Sequence, residues 1–265
     1  MQKIIKQHIR VWIQLTTCAF SSYASNRIDS ASYFVGKIIR FGFFVLMIFS
    51  IFNFTDSMAG YGPYEILLFF LTFNLIDLIG QAFMRGVYLL HTHIREGGFD
   101  YIISKPINPL FYILSRLTDL LDMIFLIPIV GLLLFTITKL SIALSALNMV
   151  TYALLVLNGL FIITGFHIIA AAITLINVEN QNTIWFYRDA MSMGRFPPEI
   201  FSPTIQLIFT FVLPIFIIVA FPSKALLGTL PLHMLVFGIL YSIIFFLISL
   251  LIWNSSLKKY SSASS

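Results

Sequence analysis

Six apolar runs, separated by short polar intervals, constrain this chain more than any other feature. They cover residues 33–54, 66–90, 117–140, 149–176, 204–221 and 232–253. A helix needs about 20 apolar residues to cross the ~30 Å hydrocarbon layer of a bilayer. Its backbone groups can be satisfied there only within the helix itself. Runs of this length and number predict an all-α membrane protein. Composition points the same way: 59% of the 265 residues are hydrophobic and only 10% are charged, whereas a soluble domain carries roughly a quarter charged residues. The intervals leave no room for a sizeable soluble domain. Residues 1–265 are therefore expected to form one unit, with an N-terminal helix and turn over 1–32, a six-span core over 33–253 and a tail over 254–265.

Residues 2–22 repeat with helical period. Ile5, Ile9, Trp12 and Ala19 fall on one side, and Lys3, Gln7, Arg10, Gln14 and Thr17 on the other. This predicts an amphipathic helix lying in the membrane surface. The basic start resembles a signal peptide, but the run after it is broken by Gln14, two threonines and several serines, so no cleavage is expected. Residues 23–35 are polar and read as a turn.

The net charge of +5 arises from scattered Lys and Arg, not from a groove-like cluster, so it indicates topology and not nucleic acid. Fourteen of the basic residues lie in the N-terminal flank to Arg40, the 85–116 region, the 177–203 interval and the tail. Only Lys139 and Lys224 lie in the other intervals. The positive-inside rule then places both termini, the 85–116 region and the 177–203 interval in the cytoplasm. Six crossings give the same parity. The lone Cys18 excludes an internal disulfide. His91 and His93 lack further ligands at metal spacing, and neither cofactor nor metal is expected.

The longest polar interval of the first half follows the second run. Gly97-Gly98 can end a helix at low cost. Residues 99–104 can form one or two helical turns, with Asp100 favourable in the first. Lys105-Pro106 stops that helix. Asn108-Pro109 starts the next, with Asn as N-cap and Pro at the first helical position. The grammar is break, short helix, break. Phe99, Tyr101 and Ile102 are expected to anchor the short helix, leaving Asp100 and Lys105 free for a soluble partner. An ordinary connecting loop is the competing reading.

This block, Arg95-Glu96-Gly97-Gly98-Phe99-Asp100 followed by Lys105-Pro106-Ile107-Asn108-Pro109-Leu110, resembles the signature of the ABC-2 type permeases. Ile103 stands where that pattern usually has Leu. Weaker resemblances lie at Phe196-Pro197, Leu213-Pro214, Pro222 and Leu226-Leu227-Gly228, and from Trp253 to the serine-rich end. The resemblance implies a six-span permease subunit in a bacterial inner membrane. It also implies a second permease subunit, in a homo- or heterodimer, and cytoplasmic ABC ATPase partners. Gly97, Gly98, Phe99, Asp100, Tyr101, Lys105 and Pro106 would form the coupling helix on which the ATPase acts, and short re-entrant helices would lie between spans five and six. Export is the family's usual direction. Gly36-Lys37 lacks the preceding glycine of a phosphate-binding loop, so ATP hydrolysis is expected on the partner and not on this chain.

Ionisable groups within spans are functional candidates because their burial is costly. Asn74, Asp77 and Gln81 share one face of the second span, where Asp77 either lines a pathway or is a hydrogen-bonded structural carboxyl. His167 on the fourth span reads as a structural polar link. Arg116 and Asp119 have the spacing of a helical ion pair and are expected to lock the start of span three. A membrane-embedded lipid-modifying enzyme would need convergent acids and bases. An ion-coupled carrier would show inverted repeats or several intramembrane charges. The permease reading, with a hydrophobic or amphipathic cargo and lipid as solvent, fits best.

Overall fold

The computed structural model describes residues 2–140, 145–177 and 182–260. Residues 141–144 of the expected 141–148 loop, 178–181 at the start of the 177–203 interval and 261–265 of the serine-rich end lie outside these residues. Helix is the only regular structure among the described residues, apart from one bridge between Met58 and Tyr61. Five helices are long and apolar enough to cross a membrane, and a sharply bent pair makes a sixth candidate.

Helix α1 (Gln2–Ser25) passes through the single residue Asn26 into α2 (Arg27–Ile51). The polar 23–35 stretch is therefore helical and not a turn, because serine and alanine tolerate helix when no Gly or Pro interrupts them. After a tight turn, α3 (Pro63–Met84) starts with Pro at its first position and Glu65 Oε2 accepting from the Gly62 amide at 2.7 Å. A 3₁₀ turn (Arg85–Leu89) and α4 (Leu90–Arg95) extend α3 to the glycine pair. Helices α5 (Gly98–Ile103) and α6 (Pro109–Ser115) form the polar interval. Then come α7 (Leu120–Lys139) and α8 (Ala146–Ile176). At 31 residues, α8 is about 46 Å long, more than a bilayer core is thick, and is free to tilt.

The core is built by α3, α7, α8 and α11 (Ile215–Leu226), with α12 (Leu232–Lys259) packed along α8. Asn158 Nδ2 donates to the Gly238 carbonyl at 3.2 Å, and Ser242 donates to Asn158 Oδ1. Gly165 faces the Phe245 ring so closely that a Cβ would stand 2.8 Å from it. Small and amide side chains thus knit α8 to α12, as expected where lipid gives no hydrophobic drive between helices.

The stretch before α11 differs from the expected plain connection. Helix α9 (Asn182–Met191) continues into 3₁₀ turns at Ser192–Arg195 and Pro198–Ile200. Trp185 packs on Tyr88 below α3, Tyr187 stacks on Phe166 of α8, Arg195 lies over the Phe44 and Phe73 rings, and Glu199 reaches Lys224 and Tyr61 above α3. Residues 185–199 therefore run the length of α3. Helix α10 (Pro203–Leu207) with its π turn (Ile208–Val212) meets α11 at a bend of 100° beside Pro214. These arms hold 10 and 12 residues, about 15 and 18 Å, so neither spans a bilayer core alone. The expected fifth span over 204–221 is a corner, not a single kinked helix.

Candidate functional site

Two places gather the residues that the sequence singles out. The first is the polar end of the molecule. Gly97 takes a left-handed φ of 72°, which glycine adopts without strain. Gly98 opens α5. Phe99 and Ile102 are buried, whereas Tyr101, expected to anchor the helix with them, is 67% exposed because it stands on the opposite side of α5, and Ile103 and Ser104 are also exposed. Asn108 caps α6, its Oδ1 accepting from the Phe111 amide at 3.2 Å, with Pro109 first in the helix. The break, helix, break grammar is present as expected. Two side chains are less free than expected. Asp100 Oδ1 accepts from the Tyr260 hydroxyl at 3.1 Å, and the Tyr260 ring meets Phe99 edge-on at 4.9 Å. Lys105 Nζ lies over the Tyr101 and Tyr112 rings at 4.3 and 4.5 Å and donates to Tyr112 Oη at 3.3 Å. From α1, the Gln7 amide donates to the Pro106 carbonyl at 2.8 Å. His8 of that helix packs on Phe111, and Trp12 lies near Phe83. The face of α1 turned to the protein is thus Gln7, His8, Trp12 and Ala19, while Ile5, Ile9 and Ile13 are exposed, a different division from the one periodicity suggested.

The second place is a cavity of about 640 Å³ between α2 on one side and α3, α7 and the 185–195 segment on the other. Asn74, Asp77 and Gln81 stand on its wall in one stripe of α3, together with Phe70, Phe73 and Arg85. The facing stripe of α2 is Tyr33, Lys37, Arg40, Phe41 and Phe44, at the three- and four-residue spacing that aligns side chains on a helix. Trp185, Arg188, Asp189, Ser192 and Arg195 close the third side. Lys37 pairs with Asp122 of α7, and Arg85 pairs with Asp119. Asp119 also accepts at Oδ1 from the Leu121 and Asp122 amides at 3.0 and 3.2 Å, capping α7. The expected Arg116–Asp119 pair is thus replaced. Arg116 ends α6, four residues before α7 begins, so the two side chains do not share one helix and the three-residue rule does not hold. His167 lies apart from the cavity. Its ring is wholly buried, with Nδ1 2.9 Å from the Ile163 carbonyl and edges on Tyr88 and Tyr187.

Sequence reasoning placed Lys37, Arg40, Arg85, Arg188 and Arg195 among the charges flanking the spans, whereas all five line this cavity. The helical spacing of Tyr33, Lys37, Arg40 and Phe44 was the available signal for two of them. At the other end of the molecule Tyr61, Glu199 and Lys224 form a polar cluster, in which burial and the Glu199 carboxylate push the Tyr61 hydroxyl up to about 12.

The profile of the ABC-2 family transporter proteins matches residues 38–264. The chain belongs to the ABC-2 transporter family. It is a multi-pass integral membrane protein and a transmembrane component of a transporter, a role that in the ABC-2 family goes with an ABC ATPase subunit. No curated protein and no solved structure matches it. Both places described above fall within the matched residues, except the α1 contacts from Gln7, His8, Trp12 and Ala19 and the first part of the α2 stripe at Tyr33 and Lys37.

Proposed function

We propose that this chain is the permease subunit of an ATP-driven exporter of a hydrophobic or amphipathic substrate, and that α5 is the element on which a separate ATPase acts. The observation that carries this reading is the two-sided character of α5. Phe99 and Ile102 bury one side against the protein, and Tyr101 and Ser104 present the other. A six-residue helix held that way, between a left-handed glycine and a proline, moves as a rigid piece with the helices it joins. Gln7 of α1 and Tyr260 after α12 are tied to the same end.

The topology that fits has both termini and α5 in the cytoplasm. The Glu199–Lys224 pair ties the turn that precedes α10 to the last turn of α11, which supports a re-entrant segment on the outer side. Residues 185–199 then supply the fifth crossing, for six in all. With the five cavity residues set aside, nine basic residues remain on the proposed cytoplasmic side against two outside. The second permease subunit, in a homo- or heterodimer, completes the assembly. Gly97, Gly98, Phe99, Asp100, Tyr101, Lys105 and Pro106 form the coupling unit, with Asn74, Asp77 and Gln81 on the pathway.

The test uses a Cys18→Ser background, since Cys18 is the one native cysteine. Tyr101→Cys and Ser104→Cys are expected to cross-link to the ATP-binding subunit, whereas Leu147→Cys, 72% exposed at the opposite end of the molecule, is not. Absence of cross-linking at both α5 positions in the native complex overturns the coupling role.

A further inference from the structure

The charge inside the cavity is unbalanced. Among the described residues, ion pairs join Lys37 to Asp122, Arg85 to Asp119 and Lys224 to Glu199. Arg40, Arg188 and Arg195 take part in none of them. The carboxylates left on the wall are Asp77 and Asp189. Three guanidinium groups thus face two carboxylates, a formal excess of one positive charge. Charge held inside a membrane protein is costly unless something answers it, and the planar guanidinium fork is suited to phosphate and carboxylate oxygens.

The cavity is also graded along its length. Lys37, Gln81, Arg85 and Arg188 occupy the half nearest α5, and Arg40 lies further up α2 beside Phe41, which stacks on Phe70 at 5.4 Å. At the other half Phe44 stacks flat on Phe70, with centroids 5.0 Å apart and an interplanar angle of 4°. Arg195 marks the boundary, 5.0 Å from both the Phe44 and Phe73 ring centroids. A polar, positive half beneath an aromatic half matches a molecule with a charged head and an apolar body. We propose that this cavity receives the singly anionic head of an amphiphile, bound by Arg40, Arg188 and Arg195, with its apolar part toward Phe44 and Phe70. That this ligand is the transported cargo rests on the permease reading above, whereas the binding site itself does not.

Trp185 on the cavity wall supplies a reporter once Trp12 and Trp253 are replaced by Phe. The full-length protein, in a neutral maltoside detergent, is titrated with dihexanoyl phosphatidylglycerol, dihexanoyl phosphatidylcholine and inorganic phosphate while Trp185 emission is followed. Saturable binding of the phosphatidylglycerol is expected, at least tenfold tighter than either other probe. Arg40→Gln is expected to weaken it at least tenfold, and Arg40→Lys to recover part of the loss. Arg40 is exposed on the cavity wall and not packed in the core, so its replacement leaves the packing intact, and Arg195→Gln serves as the second variant. Equal binding of the zwitterionic lipid overturns the charge argument. Equal binding of inorganic phosphate overturns the amphiphile, and indifference to both arginine variants overturns the site. The reading of α5 is decided separately: cross-linking at Tyr101 without lipid binding leaves the permease and removes this substrate class, and the reverse result leaves the site without the coupling role.

Discussion

Gly86 shows how much can hang on one hydrogen atom. A Cβ there would stand 1.9 Å from the Ile113 carbonyl oxygen, and because the obstacle is backbone, no side-chain rotation relieves it. Gly86→Ala must push the 85–89 turn away from α6, beside the Arg85–Asp119 pair. Overpacking of this kind costs about 1–3 kcal/mol, and thermal unfolding in detergent is expected at a clearly lower midpoint. Gly131 of α7 has nothing within 4 Å of the same built atom, so Gly131→Ala is expected to leave the midpoint unchanged or to raise it, by up to about 1 kcal/mol of stability. The sequence distinguishes these glycines poorly. Gly97 was legible because a glycine pair before a proline-bounded stretch is local chemistry. Gly86 was not, because its constraint comes from Ile113. The partner of Asp119 was hidden for the same reason: Arg116 is near in sequence, but Arg85 is near in space.

At the scale of elements, local punctuation was readable and membrane depth was not. The caps at Asn108 and the stop at Gly97 follow from residue type alone. The 185–199 segment did not read as part of the bundle because Arg188, Asp189 and Arg195 interrupt any apolar window, and only the cavity built by other helices gives those groups a place. The tail also carried an unseen function for α5, since Tyr260 closes on Phe99 and Asp100 across 160 positions. Tyr260→Phe keeps the ring and removes the hydroxyl. A hydrogen bond to a charged group contributes roughly 1.5–3 kcal/mol. Amide hydrogen exchange in 98–104 is therefore expected to quicken by about tenfold or more, while exchange in the buried middle of α3 stays unchanged. Equal exchange in the variant and the native chain would show that the tail does not hold α5.

For the whole molecule, the all-α membrane class was fully legible, because apolar run length answers directly to bilayer thickness. The route of the chain was less so: counting runs gave six crossings, but the fifth crossing proposed here lies before the run expected to form it. Thiol labelling of intact cells in the Cys18→Ser background checks that route. Phe54→Cys and Thr229→Cys are expected to react with an impermeant reagent, and Tyr101→Cys and Lys258→Cys only after the membrane is opened. Reaction at Lys258 in intact cells would invert the topology.

The unusual polarity of residues 185–199 bears on how such a chain is made. On insertion scales an arginine at mid-helix costs about 2.5–3.5 kcal/mol, and this stretch carries Arg188 and Arg195 with Asp189 between them. On the topology proposed above, it gains nothing by partitioning into lipid on its own. The rings that receive its two arginines belong to α2, to α3 and the turn that follows it, and to α9 itself, and its tyrosine stacks on α8. On that topology biogenesis has a required order, in which this segment settles only after earlier helices have assembled a polar berth for it.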